Sequence, residues 1–385
     1  MARCWRVGPH AVLAGLGFVL VGGPAQAQSI IPVISGYTPT TVSATTEVQA
    51  AQQETVQTEA VLQPSMGLVV SATQRAIAAA VSRVRLGWTP RLASLGVQYA
   101  ALDPTGALLA ADESTEGGWS YAAWANIQNS WAESTASAAS WDGTITLPLV
   151  GMDASSDEWL GIPLVLGISA GYQRTSLTTS YNAGSLTGNG ATVSPYFALV
   201  PTDNIYLEGS LGYSSTSYDL EDASSGSLSL ASLQGDRVFG FLYLNGRVPQ
   251  DWHGDKALTI GGKIGFSYAT EFFSGYTDSQ GFDYRDTRSQ LGQASIGASI
   301  RYLFELEDFA LEPYVDAVFG YDVVRTGGDV PGLSTGTEDT TDVVLGIGTD
   351  LLVGDRFTIT IEYNTTLARD DYSNHTGLLL ARAKF

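Results

Sequence analysis

The sequence predicts an all-β protein, a twelve-stranded antiparallel transmembrane β-barrel over residues 118–385 that is preceded by one α-helix. Three observations predict it. Apolar and polar residues alternate with period two in many segments, the connections between these segments alternate between short and long, and the last segment ends on an aromatic residue. No apolar run after the first 27 residues approaches the length of a membrane-spanning helix, so strands are the expected spanning elements.

Residues 1–27 have the features of an export signal. Arg3 and Arg6 supply positive charge, a short apolar run follows over residues 11–21, and an Ala-Gln-Ala sequence at 25–27 offers the small residues that a signal peptidase requires. The apolar run is too short for a permanent membrane helix. We therefore expect residues 1–27 to be absent from the mature, exported chain.

Composition excludes several kinds of site. Cys4 lies inside the predicted signal, so the mature chain has no thiol for disulfides, metal binding or catalysis. His253 and His375 alone remain after cleavage, and the sequence has no hydrolase, metalloprotease or phosphate-loop motif. Loss of Arg3 and Arg6 changes the net charge from −20 to −22, which disfavours nucleic acid as a partner. We expect no enzyme activity, no metal site and no cofactor.

Residues 28–64 follow the predicted signal and are rich in Thr, Ser, Gln, Ala and Val. They contain no aromatic residue after Tyr37 and too little bulk for a hydrophobic core. We expect this segment to be a short passenger or tail.

Residues 65–87 are predicted to form a single helix. Pro64 marks its start, Ala, Val and Leu dominate its sequence, and Gly87 marks its end. At about 100° per residue, one side of this helix carries all three of its cations, Arg75, Arg83 and Arg85. Residues 88–117 are expected to connect the helix to the first strand.

Alternation with period two indicates which side chains face lipid and which face the lumen. Between residues 357 and 364, Phe357, Ile359 and Ile361 alternate with polar residues such as Thr358 and Glu362. The same pattern recurs near residues 205–213, 258–268, 309–321 and 342–351. It places four carboxylates on inner faces, those of Glu208, Glu312, Asp316 and Glu362.

Twelve such segments are expected, an even number that suits a bacterial barrel. Their predicted centres are residues 123, 145, 167, 194, 209, 241, 264, 297, 315, 346, 360 and 380, and the alternation is weakest near 145 and 241. The inner connections are predicted to be short, at 200–204, 304–308 and 353–356. The outer connections are predicted to be long, at 214–234, 273–290 and 322–340.

The final predicted strand ends on Phe385. Leu379, Ala381, Ala383 and Phe385 share one face of it, and Arg382 and Lys384 lie on the other. An aromatic residue at this place resembles the signal that the outer-membrane barrel assembly machinery reads, so we expect Phe385 to act as an assembly signal.

The order of these elements resembles the translocator domain of the autotransporter, or type V secretion, family. The resemblance covers residues 65–385 and includes GWSYAAW at 118–124, GISAGY at 167–172 and YVDAVFGY at 314–321. It implies that the helix lies inside the barrel and connects it to an exported passenger at the cell surface. It further implies that the helix arginines meet inward carboxylates of the barrel, such as Glu208, Glu312, Asp316 and Glu362.

The resemblance is incomplete, because passengers of this family are usually much longer than residues 28–64. The helix also lacks the Asn-Asn pair at which some members cut themselves. Two other functions therefore stay open, an outer-membrane channel for small solutes and an adhesin that uses its outer loops. The expected partners are outer-membrane lipid, lipopolysaccharide and the assembly machinery. We expect a monomer, because one chain supplies enough strands to close a barrel.

Two groups of loop acids are candidate cation sites. Asp278, Asp283 and Asp286 lie in one predicted outer connection, and Glu338 and Asp339 lie with Asp342 near the end of another. Neither group has the spacing of a known calcium loop. We interpret both groups as solvated loop residues.

Overall fold

The computed structural model describes residues 65–81, 119–135, 140–156, 162–180, 183–223, 228–248, 255, 257–307, 309–326, 339–354 and 356–385. The predicted signal, tail and connecting segment lie outside these residues. Within them, residues 65–81 form a helix, and the remainder is mainly β-strand. No helix among the described residues is long and apolar enough to cross a membrane.

Twelve long strands form the wall of a barrel. They are β1 (Trp119–Ser134), β2 (Trp141–Ser156), β3 (Leu164–Thr179), β4 (Gly184–Thr202), β5 (Ile205–Asp222), β6 (Ser229–Arg247), β7 (Leu258–Phe273), β8 (Thr287–Tyr302), β9 (Phe309–Thr326), β10 (Thr341–Val353), β11 (Phe357–Leu367) and β12 (Tyr372–Lys384). Each predicted centre lies inside its strand, including the two weakest, near residues 145 and 241. The predicted twelve-stranded antiparallel barrel is confirmed.

The sheet closes on itself because its first and last strands pair. Consecutive strands pair antiparallel all around the barrel, and β1 also pairs with β12 in a register that places Asn129 opposite Gly377. Phe385 extends this contact, since its backbone N–H donates to the Tyr121 carbonyl at 2.9 Å. Closure gives every strand of the wall two neighbours, which is what a sheet in lipid requires.

The outer surface of the barrel is an apolar band between two sets of aromatic side chains. Along β11, Phe357, Ile359 and Ile361 are exposed on the outside, whereas Thr358, Thr360 and Glu362 are buried inside. On β1 the exposed aromatics Tyr121 and Trp131 mark the two edges of the band. For tilted strands, their spacing corresponds to roughly 25 Å along the membrane normal, the usual height of such a band.

The strands are longer than the sequence predicts, and the outer connections are correspondingly shorter. The predicted connection 214–234 is mostly strand, since β5 and β6 stay paired as far as Asp222 and Ser229. The connections predicted at 273–290 and 322–340 shrink to 274–286 and 327–340. Hairpin pairing continues above the apolar band, where the alternation is inverted. Along β5, Tyr218 and Leu220 are buried on the inner face, whereas Asp219 and Glu221 are exposed outside.

An inward-facing polar network joins the strands at the seam of the barrel, where β1 pairs with β12. Arg382 of β12 reaches across β1 and donates two hydrogen bonds to Asp153 of β2, at 2.5 and 2.6 Å. Tyr196 donates to the same carboxylate at 3.0 Å, and Trp124 donates to the Tyr196 hydroxyl at 2.7 Å. Asp153 lies within β2, which continues to Ser156.

Arg382→Ala should destabilise the closed barrel, because it leaves the buried Asp153 carboxylate unpaired. The expected loss is about 3–5 kcal/mol in the free energy of unfolding, measured by urea titration of the barrel in lipid vesicles.

Arg174→Ala, which removes an exposed arginine of β3, is the matched control and should change little. The double variant Asp153→Asn/Arg382→Met should recover much of the loss, because it removes both charges. Equal stability of Arg382→Ala and the parent would contradict a role for this network in closure.

Candidate functional site

The helix over residues 65–81 packs its apolar face against one side of the barrel lumen. Ala72, Ala76 and Ala80 follow each other at intervals of four, and all three are buried. Their small side chains allow the helix backbone to approach the wall closely. Leu68, Val69 and Ile77 flank this row, and each contributes roughly 1.5–3 kcal/mol when fully buried. The apolar cluster on the wall includes Trp124, Ile145, Leu147, Leu149, Val165, Tyr196, Ala198, Leu378 and Leu380.

Polar contacts fix the position of the helix along this apolar wall. The Ser71 hydroxyl lies 3.1 Å from the side-chain amide of Gln128, which is fully buried on β1. At the start of the helix, Gln173 donates to the Ser65 hydroxyl at 3.2 Å. These two contacts join the helix to β1 and β3.

The Ser65 contact belongs to a larger buried network. Arg237 donates to Gln173 at 3.4 Å and makes an ion pair with Glu271, with Nη2 and Oε2 2.6 Å apart. Tyr218 donates to the other oxygen of Glu271 at 2.8 Å. Sequence reasoning did not single out Arg237 or Glu271. Both residues could have been found as charged residues at inward positions of strands in which apolar and polar residues alternate.

These contacts define the direction of the helix in the lumen. The network around Ser65 reaches Tyr218 and Glu271, which lie near the ends of β5 and β7 that face the long connections. Arg75 lies farther along the helix and contacts Asp316, in the half of β9 nearer to the short turns. The first residue of the helix therefore points towards the long-connection end of the barrel.

Arg75 is the charged residue of the described helix, and it pairs with two carboxylates of the wall. Its Nη2 lies 2.8 Å from Asp316 Oδ2, and its Nε contacts Glu362. The Glu362 side chain is 1% exposed. It also accepts hydrogen bonds from Tyr314 at 2.5 Å and Asn364 at 2.6 Å. The carboxylate is thus enclosed by donors from the helix and from two strands.

The other two predicted partners do not pair with the helix within the described residues. Glu312 makes its ion pair with Arg301 of β8, 3.6 Å away, and Arg301 also pairs with Asp350 at 3.0 Å. Glu208 is buried, and its Oε2 has no hydrogen-bond partner within the described part of the chain. Arg83 and Arg85 lie outside the described residues, so their predicted contacts stay predictions.

A second ionic cluster lies on the inner wall near the long connections. Arg369, from the turn between β11 and β12, pairs with Asp322 at 2.8 Å and Asp342 at 3.3 Å. Gln293 donates to both carboxylates, at 3.2 and 3.0 Å. The Arg369 side chain is fully buried although it starts from a turn. Sequence reasoning missed Arg369 because a turn residue is normally solvated.

A cavity of about 630 Å³ lies beside the helix, on the side opposite its apolar contacts. The helix contributes Gly67, Ser71, Gln74 and Arg75, and inward residues of β5 to β12 form the rest of the lining. Apart from the Arg382–Asp153 pair, apolar residues dominate one sector of the wall, whereas the sector that lines the cavity is rich in charged side chains. The helix therefore fills only part of the barrel cross-section.

Of the candidate loop acids, Glu338 lies outside the described residues and Asp342 pairs with Arg369, whereas the others accept local hydrogen bonds. Asp278 accepts from Ser229 Oγ at 2.7 Å and from two backbone N–H groups of its own turn. Asp283 accepts from Thr277, and Asp286 accepts from a backbone N–H group. Hydrogen bonds from Thr341 hold the pKa of the Asp339 carboxyl below its usual range. No group of three or more His, Cys, Asp or Glu residues that could hold a metal occurs among the described residues.

A closed barrel with a lipid-facing apolar band and a helix in its lumen defines a class of protein, the outer-membrane translocator barrels of Gram-negative bacteria. The autotransporter β-domain family model matches residues 123–364, and the chain belongs to this family. The resemblance noted in the sequence is thus confirmed. Membership identifies the barrel as a translocator domain, not a catalytic one.

Two solved structures share the fold. The translocator domain of the autotransporter NalP from Neisseria meningitidis is 14% identical, with a TM-score of 0.56 and coverage of 69% of this chain and 88% of that chain. The β domain of the Bordetella autotransporter BrkA is 17% identical, with a TM-score of 0.58 and coverage of 69% and 100%. No curated protein sequence matches the chain.

Arg75→Ala should loosen the helix from the lumen, because it removes the bond to Asp316 and leaves Glu362 without its cation. A loss of about 3 kcal/mol in docking free energy increases the undocked fraction more than a hundredfold. The expected result is a higher ion conductance of the purified protein in planar lipid bilayers.

Arg174→Ala is again the control, since this exposed arginine lies outside the lumen. An Arg75→Ala conductance no higher than that of the parent would count against the anchoring role of Arg75.

Proposed function

We propose that this protein is an autotransporter whose barrel carries its own short N-terminal segment, residues 28–64, to the cell surface and displays it there. The observation that carries the proposal is the direction of the helix. Its first residue, Ser65, lies in the network that reaches the long-connection end of the barrel. Any segment that precedes Ser65 is therefore directed outward.

The proposed passenger suits display without a folded domain. Residues 28–64 contain three acidic residues, Glu47, Glu54 and Glu59, and no lysine or arginine. Fully extended, such a segment spans at most about 130 Å, which is enough to reach well beyond the outer loops. Its Thr- and Gln-rich composition favours an unfolded chain that crosses the barrel without first losing tertiary structure.

Retention at the surface is favoured over release. The predicted helix lacks the Asn-Asn pair at which some family members cut themselves, and Arg75 ties the helix to two strands. The proposed organisation is therefore a signal at 1–27, a displayed segment at 28–64, a lumen helix at 65–87, a connecting segment at 88–117 and a barrel at 118–385. The proposed state is a monomer in lipid and lipopolysaccharide.

An epitope inserted after Thr45 should be accessible to antibody on intact cells, because the proposed passenger lies outside the barrel. Immunofluorescence and protease shaving of whole cells measure this. The matched control is the same epitope inserted after Gln250, between β6 and β7 at the short-turn end, which should label only after permeabilisation.

Labelling of the Thr45 epitope only in permeabilised cells would overturn the proposal. The family assignment would survive that result, but the N-terminal segment would then be periplasmic.

Assembly of the barrel is proposed to depend on Phe385, through the barrel assembly machinery. Phe385 is 61% exposed and lies on the outward face of the strand that closes the seam. Phe385→Ser should lower the folded fraction in membranes several-fold, as measured by heat-modifiable migration on gels.

Phe304→Ser removes another exposed aromatic near the short turns, 49% exposed, and serves as the control. Equal assembly of both variants and the parent would contradict a special role for Phe385.

A further inference from the structure

The lipid-facing side of β8 carries an arginine beyond the apolar band. Ser289 and Leu291 are buried and face the lumen, so Arg288 points outward. Counted from Tyr302, the exposed aromatic near the short turns, a band of roughly 25 Å takes up about ten residues of a tilted strand and ends near Gly292. Arg288 therefore lies just above the hydrocarbon, at the depth of the lipid headgroups of the outer leaflet.

Two side chains of β7 hold the guanidinium of Arg288 in place. Its Nε donates to the Thr270 hydroxyl at 2.9 Å, and its Cζ lies 4.9 Å from the centroid of the Phe272 ring. Phe272 lies directly opposite Arg288 in the β7–β8 pairing. A cation over an aromatic face is attracted to the ring. The guanidinium is thus oriented before any ligand binds.

The two Nη groups of Arg288 are available to a ligand. Within the described residues only its Nε takes part in a hydrogen bond, and no carboxylate oxygen lies within 4 Å of the guanidinium nitrogens. Arg301 of the same strand, by contrast, faces the lumen and forms ion pairs there. The nearest carboxylates on the outside are in use, since Asp236 accepts from Tyr213 Oη at 2.6 Å and Asp286 accepts from a backbone N–H group at 2.7 Å.

Phosphate is the ligand group that this arrangement suits. The two Nη groups of a guanidinium donate in parallel, with a spacing that matches two oxygens of one phosphate. The chain as a whole carries a net charge of −20 and repels anions, so an anion is held here by local donors rather than by general attraction. In the outer leaflet of a Gram-negative outer membrane, the phosphates at headgroup depth are those of lipopolysaccharide.

The apolar surface below Arg288 suits the acyl chains of such a lipid. Ala294, on the same face of β8 towards the short turns, lies opposite Phe266 on one side and Tyr321 on the other. Phe266 and Tyr321 are 41% and 48% exposed, so the small alanine side chain lies in a shallow furrow between two rings. An acyl chain that descends from a phosphate at Arg288 can lie between these rings.

We propose that Arg288 binds a phosphate of the lipid A part of lipopolysaccharide, with Thr270 and Phe272 as positioning residues. Nη1 and Nη2 of Arg288 donate to two oxygens of the phosphate. A phosphate monoester carries about −1.5 to −2 charges at neutral pH, more than the phosphodiester of a phospholipid, so lipid A is preferred over phosphatidylglycerol. The inference rests on the outer-membrane location of the barrel, not on display of residues 28–64.

Native mass spectrometry of the mature full-length protein in detergent micelles tests the site, with bisphosphorylated lipid A as the probe. We expect saturable binding, and Arg288→Gln should lower the affinity of this site about tenfold, so that one bound lipid A is lost. Arg288→Lys keeps the charge but loses the paired donors, and its affinity should lie between those of Arg288→Gln and the parent. Arg285→Gln removes an exposed arginine of the preceding connection and is the matched control, which should bind like the parent.

Competing ligands distinguish the lipid phosphate from other sources of binding. Dephosphorylated lipid A and phosphatidylglycerol should each bind about tenfold more weakly than lipid A, and millimolar inorganic phosphate should not displace it.

Four results would each overturn the proposal: equal binding by Arg288→Gln and the parent, an equal loss with Arg285→Gln, equal binding of dephosphorylated lipid A, or displacement by inorganic phosphate. Heat-modifiable migration on gels verifies that every variant is folded, which we expect because Arg288 is exposed. Display of the Thr45 epitope is a separate measurement, so failure of either proposal is visible without the other.

Discussion

Every charge inside the barrel needs a partner, and most of the interior follows from this need. Lipid offers the backbone no hydrogen bonds, so the sheet must close into a barrel. In a closed barrel every second side chain of each strand points into the same narrow lumen. Desolvated charges in such a space are costly unless opposite charges meet with good geometry. The observed pairs, Arg382 with Asp153, Arg237 with Glu271, and Arg369 with Asp322 and Asp342, meet this condition.

The same need fixes the rotation of the helix. Arg75 is the charged side chain of the described helix, and the residues that belong with Ala72, Ala76 and Ala80 to one cluster on the wall are mainly apolar. Turning the helix by half a turn would place Arg75 against leucine and isoleucine of the wall. A single charge, held by Asp316 and Glu362, therefore selects one orientation from many that the apolar contacts alone would allow.

Most of the barrel was predictable from the sequence because lipid and lumen impose opposite chemistry on alternate residues. This contrast exists only within the membrane, which explains why strands such as β5 and β6 extend past the predicted limits into Ser- and Asp-rich segments. Above the apolar band the outer face meets water, and apolar side chains such as Tyr218 and Leu220 are buried on the inner face instead. The polarity of the alternation is therefore reversed, and a pattern sought as apolar outside and polar inside ends at the membrane boundary.

Pairing within the site was less predictable, because period two gives the face of a residue but not its position around the barrel. Glu312 and Glu362 both face inward as expected, yet Glu312 meets Arg301 of the neighbouring strand, whereas Glu362 meets the helix. Strand register and barrel circumference determine which of these partners meet, and neither can be predicted from the local sequence. Asp153 and Arg382 show the same limit, since they lie two strands apart around the barrel and are joined only by its closure.

The off-centre position of the helix has a physical cause in the two unlike sectors of the wall. On the apolar sector, helix packing removes water from hydrocarbon on both sides and is favourable. On the other sector, close packing would dehydrate the carboxylates and cations that line the cavity, at a cost of several kcal/mol for each unpaired charge. The helix can neutralise a charge of the wall only where it carries a charged side chain of opposite sign. The described helix carries one charged side chain, Arg75. The helix therefore seats against the apolar sector, and a cavity remains where the charges are.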